Sequence, residues 1–150
     1  VGRLEISPEE LSGRNQRSAL FKTMFLAFRS AGAKDWHSNL TIALDHSGVQ
    51  HRLQFHHIFP KAVLTKAGVI SREADDIANL AFIGGKTNRV ISDKPPKEYL
   101  AFFAAKSGEE GFSVQEIPLD PELLDTPAYK KFLDVRRERI ANRLNVFIAG

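Results

Sequence analysis

Two stretches decide how this chain is read: Gln54-Phe55-His56-His57-Ile58-Phe59-Pro60, and then Ile77-Ala78-Asn79-Leu80-Ala81-Phe82-Ile83-Gly84-Gly85-Lys86-Thr87-Asn88-Arg89. The first reads as the end of a strand, because Val49, His51, Leu53 and Phe55 alternate up to it and Pro60 closes it. The second reads as a short apolar strand, Ala78 to Ile83, that begins beside a polar Asn79 and is broken by Gly84-Gly85. Lys86 to Ile91 can then start a helix with Asn88 in its first turn. Two adjacent histidines between aromatics and a proline are unusual in a chain with five histidines in all. Taken alone, the pair has an ordinary explanation: one histidine closes a strand and the other sits satisfied in the core. The two asparagines downstream change the weighing. A His-His strand, a connection, a strand opening on Asn, a tight Gly turn and a helix carrying a second Asn together outline a strand–strand–helix metal site.

Working outward, Leu40 to Leu44 alternates around Thr41 and Ile42, and Asp45-His46-Ser47-Gly48 has turn chemistry, so Leu40–Leu44 and Val49–Phe55 are expected to form a β-hairpin. Lys61 to Ala67 and Ser71 to Ile77 read as short helices. Ser7-Pro8-Glu9-Glu10 starts a helix: a capping Ser, Pro at the first position, acids in the first turn. Leu20, Phe21, Met24, Phe25 and Phe28 recur at helical spacing between Ser18 and Ala31 and are expected to face the core. Pro95-Pro96 opens a helix over Lys97 to Lys106, Gly108 to Pro121 reads as a loop, and a last helix is expected from Pro127 to Ile148, with Tyr129, Phe132, Leu133, Ile140, Leu144 and Phe147 on its apolar face.

Composition bounds the possibilities. The chain has 150 residues, 43% hydrophobic and 26% charged, which is a one-domain length with ordinary globular usage and excludes a collagen-like repeat, a coiled-coil rod or a disordered tail. The absence of cysteine excludes disulfides, a thiol nucleophile and Cys-bound zinc. No apolar stretch approaches the ~18 residues of a membrane span, and residues 1–10 hold no signal-peptide core. A chain opening on Val1 is expected to be a piece of something longer. A net charge of +3 permits a polyanionic partner without demanding one.

The residues His56, His57, Asn79 and Asn88 resemble the motif of HNH endonucleases, the ββα-metal nucleases. Twenty-one residues separate His57 from Asn79 and eight separate Asn79 from Asn88; the second spacing is the stringent one in that family. The string His56-His57-Ile58-Phe59-Pro60, Asn79-Leu80, Asn88 to Ser92, Lys94-Pro95-Pro96 and Tyr99-Leu100, with Gly32 to Trp36 before it and Tyr129 to Arg137 after it, is similar to the C-terminal nuclease half of GmrSD-like restriction proteins. The resemblance implies one α+β domain over residues 1–150, with a small ββα-metal core over about 40–94 surrounded by helical flanks over about 7–36 and 95–150. It implies metal-dependent cleavage of DNA in a bacterial, cytoplasmic restriction or anti-phage system, leaving 5′-phosphate and 3′-hydroxyl ends. An N-terminal nucleotide-hydrolysing domain of the same protein usually precedes this half in that family.

Residue by residue, the resemblance makes His57 the general base; a neutral imidazole, with an ordinary pKa near ~6.5, can take a proton at pH 7–8. It makes Asn79 the central asparagine that braces the loop and the base, and places His56 and Asn88 at metal-ligand positions. One imidazole and one amide with open positions suit Mg²⁺ or Mn²⁺, with Zn²⁺ or Ni²⁺ as further choices; the pair carries no charge, so the DNA phosphate would complete the ligand set. Lys86, Arg89 and Lys94 lie beside the proposed ligand and are candidate phosphate contacts. Two departures stand out: Gly84-Gly85 occupies the turn where many relatives carry a zinc-binding Cys pair, and position 88 is Asn where His is common. Arg136, Arg137, Arg139 and Arg143 do not form one stripe and read as a solvated or salt-bridged face; His37, His46 and His51 have no ligand-like spacing. Two other readings share the motif: a catalytically silent nucleic-acid-binding or assembly module, and an RNA-cleaving toxin domain.

Overall fold

The computed structural model describes residues 5–36, 42 and 53–150, with backbone alone at 53, 54, 85 and 86. Among the described residues it is an α+β structure: two antiparallel strands and a majority of helix. The elements are α1 (Pro8–Leu11), α2 (Ala19–Ser30), β1 (Leu53–His57), α3 (Lys61–Lys66), α4 (Ser71–Ala74), β2 (Leu80–Gly84), α5 (Gly85–Ile91), α6 (Pro96–Ser107), α7 (Glu110–Ser113) and α8 (Tyr129–Ala149). A 3-10 turn, Ile77–Asn79, leads into β2, and two more precede α8. No described helix is long and apolar enough to cross a membrane.

The sheet pairs β1 with β2 in the register Leu53↔Gly84 to His57↔Leu80, which sets His56 opposite Ala81. Most of the expected hairpin, residues 40, 41 and 43–52, lies outside the described residues, as do His37, His46 and His51; the described partner of the strand ending at His57 is β2. α5 follows β2 directly and packs on both strands. The chain order around the two histidines is therefore strand, strand, helix.

The edge of β2 away from β1 carries backbone groups outside the ladder, and buried ones must find partners. Three side chains serve β2. Gln115 clamps Phe82, its Oε1 accepting from Phe82 N and its Nε2 donating to Phe82 O, both at 2.8 Å. Arg136 on α8 donates to the carbonyls of Ala78 at 2.8 Å and Leu80 at 2.6 Å, and to Gln115 O at 3.1 Å. Asp35 accepts from Gly84 N and from Thr87 Oγ1, each at 2.6 Å, and so ties the Gly turn to the first turn of α5. These contacts hold the Gly84-Gly85 turn by packing and hydrogen bonds.

The apolar face of α2 lies on the sheet: Phe21, Phe25 and Phe28 all approach the ring of Phe82, at 4.8, 5.3 and 6.1 Å between centroids. On the other side Phe59, immediately after the histidines, is fully buried and meets Tyr129 at 5.1 Å and Phe132 at 4.9 Å on α8. Burying a Phe side chain contributes roughly 2–3 kcal/mol, so both edges of the motif are tied to the long helices. Three expectations change in detail. Residues 108–121 are not all loop, because Gly108, at φ 81°, ends α6 and a turn of helix forms before the prolines. The last helix begins at Tyr129, after a 3-10 turn over Thr126–Ala128. Among the arginines of α8, Arg137 and Arg143 are salt-bridged as expected, to Asp76 and Glu116 at 2.7 Å each, but Arg136 is fully buried.

Candidate metal centre and catalytic groove

β1 presents its last two residues to opposite surroundings, as strand alternation requires. His56 is buried, 4% exposed, against the edge of Trp36 and the ring of Tyr99. Its Nδ1 lies 3.1 Å from Asn88 Oδ1 and its Nε2 3.3 Å from the Tyr99 hydroxyl. Tyr99 donates its single phenolic hydrogen to Ile58 O at 2.6 Å, so it can only accept from His56. A neutral imidazole has one hydrogen for two contacts. With the Asn88 amide oxygen toward the ring, one of these contacts is a meeting of two acceptors. A second proton would satisfy both, but burial drives the His56 pKa from 6.5 down to about 4; the Asn88 hydrogen bond opposes this shift and the neighbouring His57 adds to it.

His57 is half-buried. Its Nε2 lies 2.8 Å from Asp75 Oδ1, and Lys61 Nζ lies 3.2 Å from the other oxygen of Asp75. Partial burial pushes the Asp75 pKa up, but the hydrogen bonds from His57 and Lys61 outweigh it, and the carboxyl ionises below its ordinary range.

Asn79 is fully buried at the end of the 3-10 turn, one residue before the strand it was expected to open. Its Oδ1 accepts from Phe59 N at 2.8 Å, and its Nδ2 donates to Phe59 O at 3.1 Å and Ala74 O at 2.9 Å. The side chain thus brackets the chain just beyond His57 against the end of α4.

His56, His57 and Asn88 line one open groove together with Phe55, Pro60, Lys61, Ala62, Ser92 and Asp93. Ser92 ends α5 in the left-handed region at φ 54°, a strained conformation for a non-glycine residue of the kind that collects at functional sites. Of the expected phosphate contacts, Arg89 and Lys94 are exposed and do not line this groove; Lys94 borders a neighbouring cavity with Val90, Glu98 and Phe102. The side chain of Lys86 lies outside the described atoms.

The donor set can be tested against a divalent cation. Among the described residues no three His, Cys, Asp or Glu side chains cluster to hold a metal; the candidate donors are one imidazole and one amide oxygen. Their 3.1 Å separation matches the ~3.0 Å between neighbouring donors of an octahedral ion with ~2.1 Å bonds. His56 and Asn88 therefore fit a hard divalent ion that keeps several waters.

Reading the sequence missed Asp75, Asp93 and the roles of Tyr99, Asp35, Gln115 and Arg136. Nothing in spacing marks Asp75, since a carboxylate eighteen positions after His57 has no periodic relation to a strand end. A fully buried Arg on an apolar helix face is the one signal that was available, from Arg136 next to the arc of Phe132, Leu133 and Ile140.

No known protein-family profile matches the chain, and no solved structure matches it. An uncharacterized protein of Methanocaldococcus jannaschii is 33% identical over 66 residues, a stretch that covers 44% of this chain and 11% of that protein.

Proposed function

We propose that this chain is a metal-dependent HNH endonuclease domain that hydrolyses DNA phosphodiester bonds, built on a ββα-metal core, in a bacterial restriction or anti-phage system. The observation that carries the reading is the convergence of His56, His57 and Asn88 on one groove at the junction of β1, β2 and α5. Arg89 and Lys94 are then phosphate contacts along the approach to the groove. The partner is DNA, and an N-terminal nucleotide-hydrolysing domain of the same protein gates the activity in the cytoplasm.

Hydrolysis of a phosphodiester needs a base for water and charge stabilisation at the leaving oxygen. His57, held at Nε2 by Asp75, takes the proton of a groove water at its other ring nitrogen; the water oxygen attacks phosphorus in line with the 3′ oxygen, the P–O3′ bond breaks, and the leaving oxygen takes a proton from solvent. His56 and Asn88 would hold a divalent cation, Mg²⁺ or Mn²⁺ with Zn²⁺ or Ni²⁺ as further choices, which when bound would supply Lewis-acid stabilisation of charge on the phosphate. Asn79 keeps the base in register by fixing Phe59. Phosphate oxygens would complete a ligand set to which His56 and Asn88 bring no charge.

The test is plasmid cleavage with Mg²⁺, Mn²⁺, Ni²⁺, Zn²⁺ or EDTA, run beside single- and double-stranded RNA. The expected result is metal-dependent DNA cleavage, abolished by EDTA, with 5′-phosphate ends. Cleavage of RNA alone would replace the reading with the toxin alternative. Binding without cleavage under every metal would leave a silent nucleic-acid-binding module.

A further inference from the structure

The contact between His57 and Asp75 looks at first like a surface ion pair, since the two side chains are 24% and 31% exposed; exposed pairs add little to stability. What sets this pair apart is how firmly the segment bearing Asp75 is fixed. Ala74 O, just before it, accepts from Asn79 Nδ2 at 2.9 Å, and the same Asn79 amide grips Phe59, two residues beyond His57. Asp75 N donates to Ser71 O at 3.0 Å. Asp76, just after it, accepts from Ala78 N at 2.9 Å, from Gly13 N at 3.0 Å and from Arg137 at 2.7 Å. One buried side chain, Asn79, therefore registers the carboxylate against the imidazole.

The chemistry follows from hydrogen-bond roles. An ionised carboxylate only accepts, so at 2.8 Å the Nε2 of His57 carries the hydrogen. In a neutral ring the lone pair then lies on Nδ1. Lys61 occupies the second oxygen at 3.2 Å and restrains rotation of the carboxylate. When Nδ1 takes a proton from water, the resulting imidazolium remains hydrogen-bonded to a negative charge.

We propose that Asp75 is a positioning residue, which fixes the His57 proton on Nε2 and makes Nδ1 the proton-accepting atom; this rests on the nuclease reading above. Asp75 touches neither substrate nor cation and acts only through His57. Its removal lowers kcat, leaves KM for DNA unchanged and matters only while His57 is present.

The experiment combines cleavage kinetics at saturating Mn²⁺ for wild type, Asp75→Asn, Asp75→Ala and Asp75→Glu, each with and without His57→Ala, with long-range ¹H–¹⁵N spectra of histidine-labelled protein that read the His57 tautomer directly. The wild type should show His57 protonated at Nε2, and Asp75→Asn should show a mixture. Asp75→Asn and Asp75→Ala should lower kcat by ~10–100-fold, the usual loss when an outer hydrogen-bond partner of a working imidazole is removed, and Asp75→Glu should recover part of it. In the His57→Ala background the same changes should have no further effect. A tautomer unchanged in Asp75→Asn, or losses that multiply with His57→Ala, would overturn the proposal. If the wild type cuts no nucleic acid with any metal, the nuclease reading fails by itself, and the spectra still decide whether Asp75 sets the tautomer.

Discussion

His56 and His57 are neighbours in the chain, yet one is buried against aromatic rings at the wall of the groove and the other sits on its half-open, charged rim. The described contacts of His56 are neutral: Asn88, Tyr99, Ile58 through Tyr99, and the edge of Trp36. Around His57 the contacts are charged: Asp75 directly, and Lys61 behind it. Burial holds the first ring neutral and makes it a lone-pair donor, which suits a cation. A carboxylate at one nitrogen of the second ring supports a charge arriving at the other, which suits proton transfer. Residue type alone does not separate these two surroundings; the alternation of one β-strand does.

The largest expected effect breaks the comparison on the His57 side. His57→Ala should slow DNA cleavage by ~10²–10⁴, the usual worth of a general base, while metal and DNA binding persist; rate measurements beside calorimetric metal titration check both. Part of the lost rate should return at higher pH, where hydroxide replaces the base. Retention of full activity would make the pair structural.

The scaffold that both histidines share comes next. Arg136 is fully buried, spans the carbonyls of Ala78, Leu80 and Gln115 and has its pKa lowered by that burial to about 9. Arg136→Met should leave these carbonyls unpartnered and destabilise the fold by about 3 kcal/mol or more, read by urea denaturation. A loss under about 1 kcal/mol would mean that β2 is held by its apolar contacts alone.

Acid should then separate the two histidines. His56 titrates at about 4 when folded and near ~6.5 when unfolded. Above pH 6.5 the ring is neutral in both states. Between 6.5 and 4 the unfolded chain binds a proton that the folded chain refuses, so stability falls as pH falls, by roughly 3 kcal/mol once pH is below 4. Urea denaturation in EDTA across this window should show that loss, and His56→Gln should flatten it. An equally steep profile in His56→Gln would place the acid sensitivity elsewhere.

The smallest effect sharpens the His56 side. Tyr99→Phe removes the hydroxyl that bridges His56 Nε2 and Ile58 O. Loss of such an outer partner should weaken metal binding by ~10-fold, with little change in rate at saturating metal. Unchanged affinity would mean that Trp36 and Asn88 suffice to orient the ring.

Much of this architecture was legible before any coordinates. The Phe periodicity of α2, the Pro-Pro start of α6 and the Gly turn before α5 are local signals, and the structure has those elements within a residue or two. The spacing of Asn79 and Asn88 was legible because a tight strand–turn–helix leaves little freedom in chain length between them. The partners that come from afar were not. Asp75, Gln115 and Arg136 reach the motif across 18, 33 and 56–59 residues, and hydrogen bonds between distant segments leave no period in a sequence.

The division between the two histidines is tested most directly by cleavage rate against metal concentration for His56→Ala, Asn88→Ala and His57→Ala in parallel. If His56 and Asn88 hold the cation and His57 takes the proton, the first two variants should regain part of their activity as Mn²⁺ rises, and His57→Ala should stay flat at every concentration. Rescue of His57→Ala by metal, with none for His56→Ala, would reverse the two roles and contradict the account.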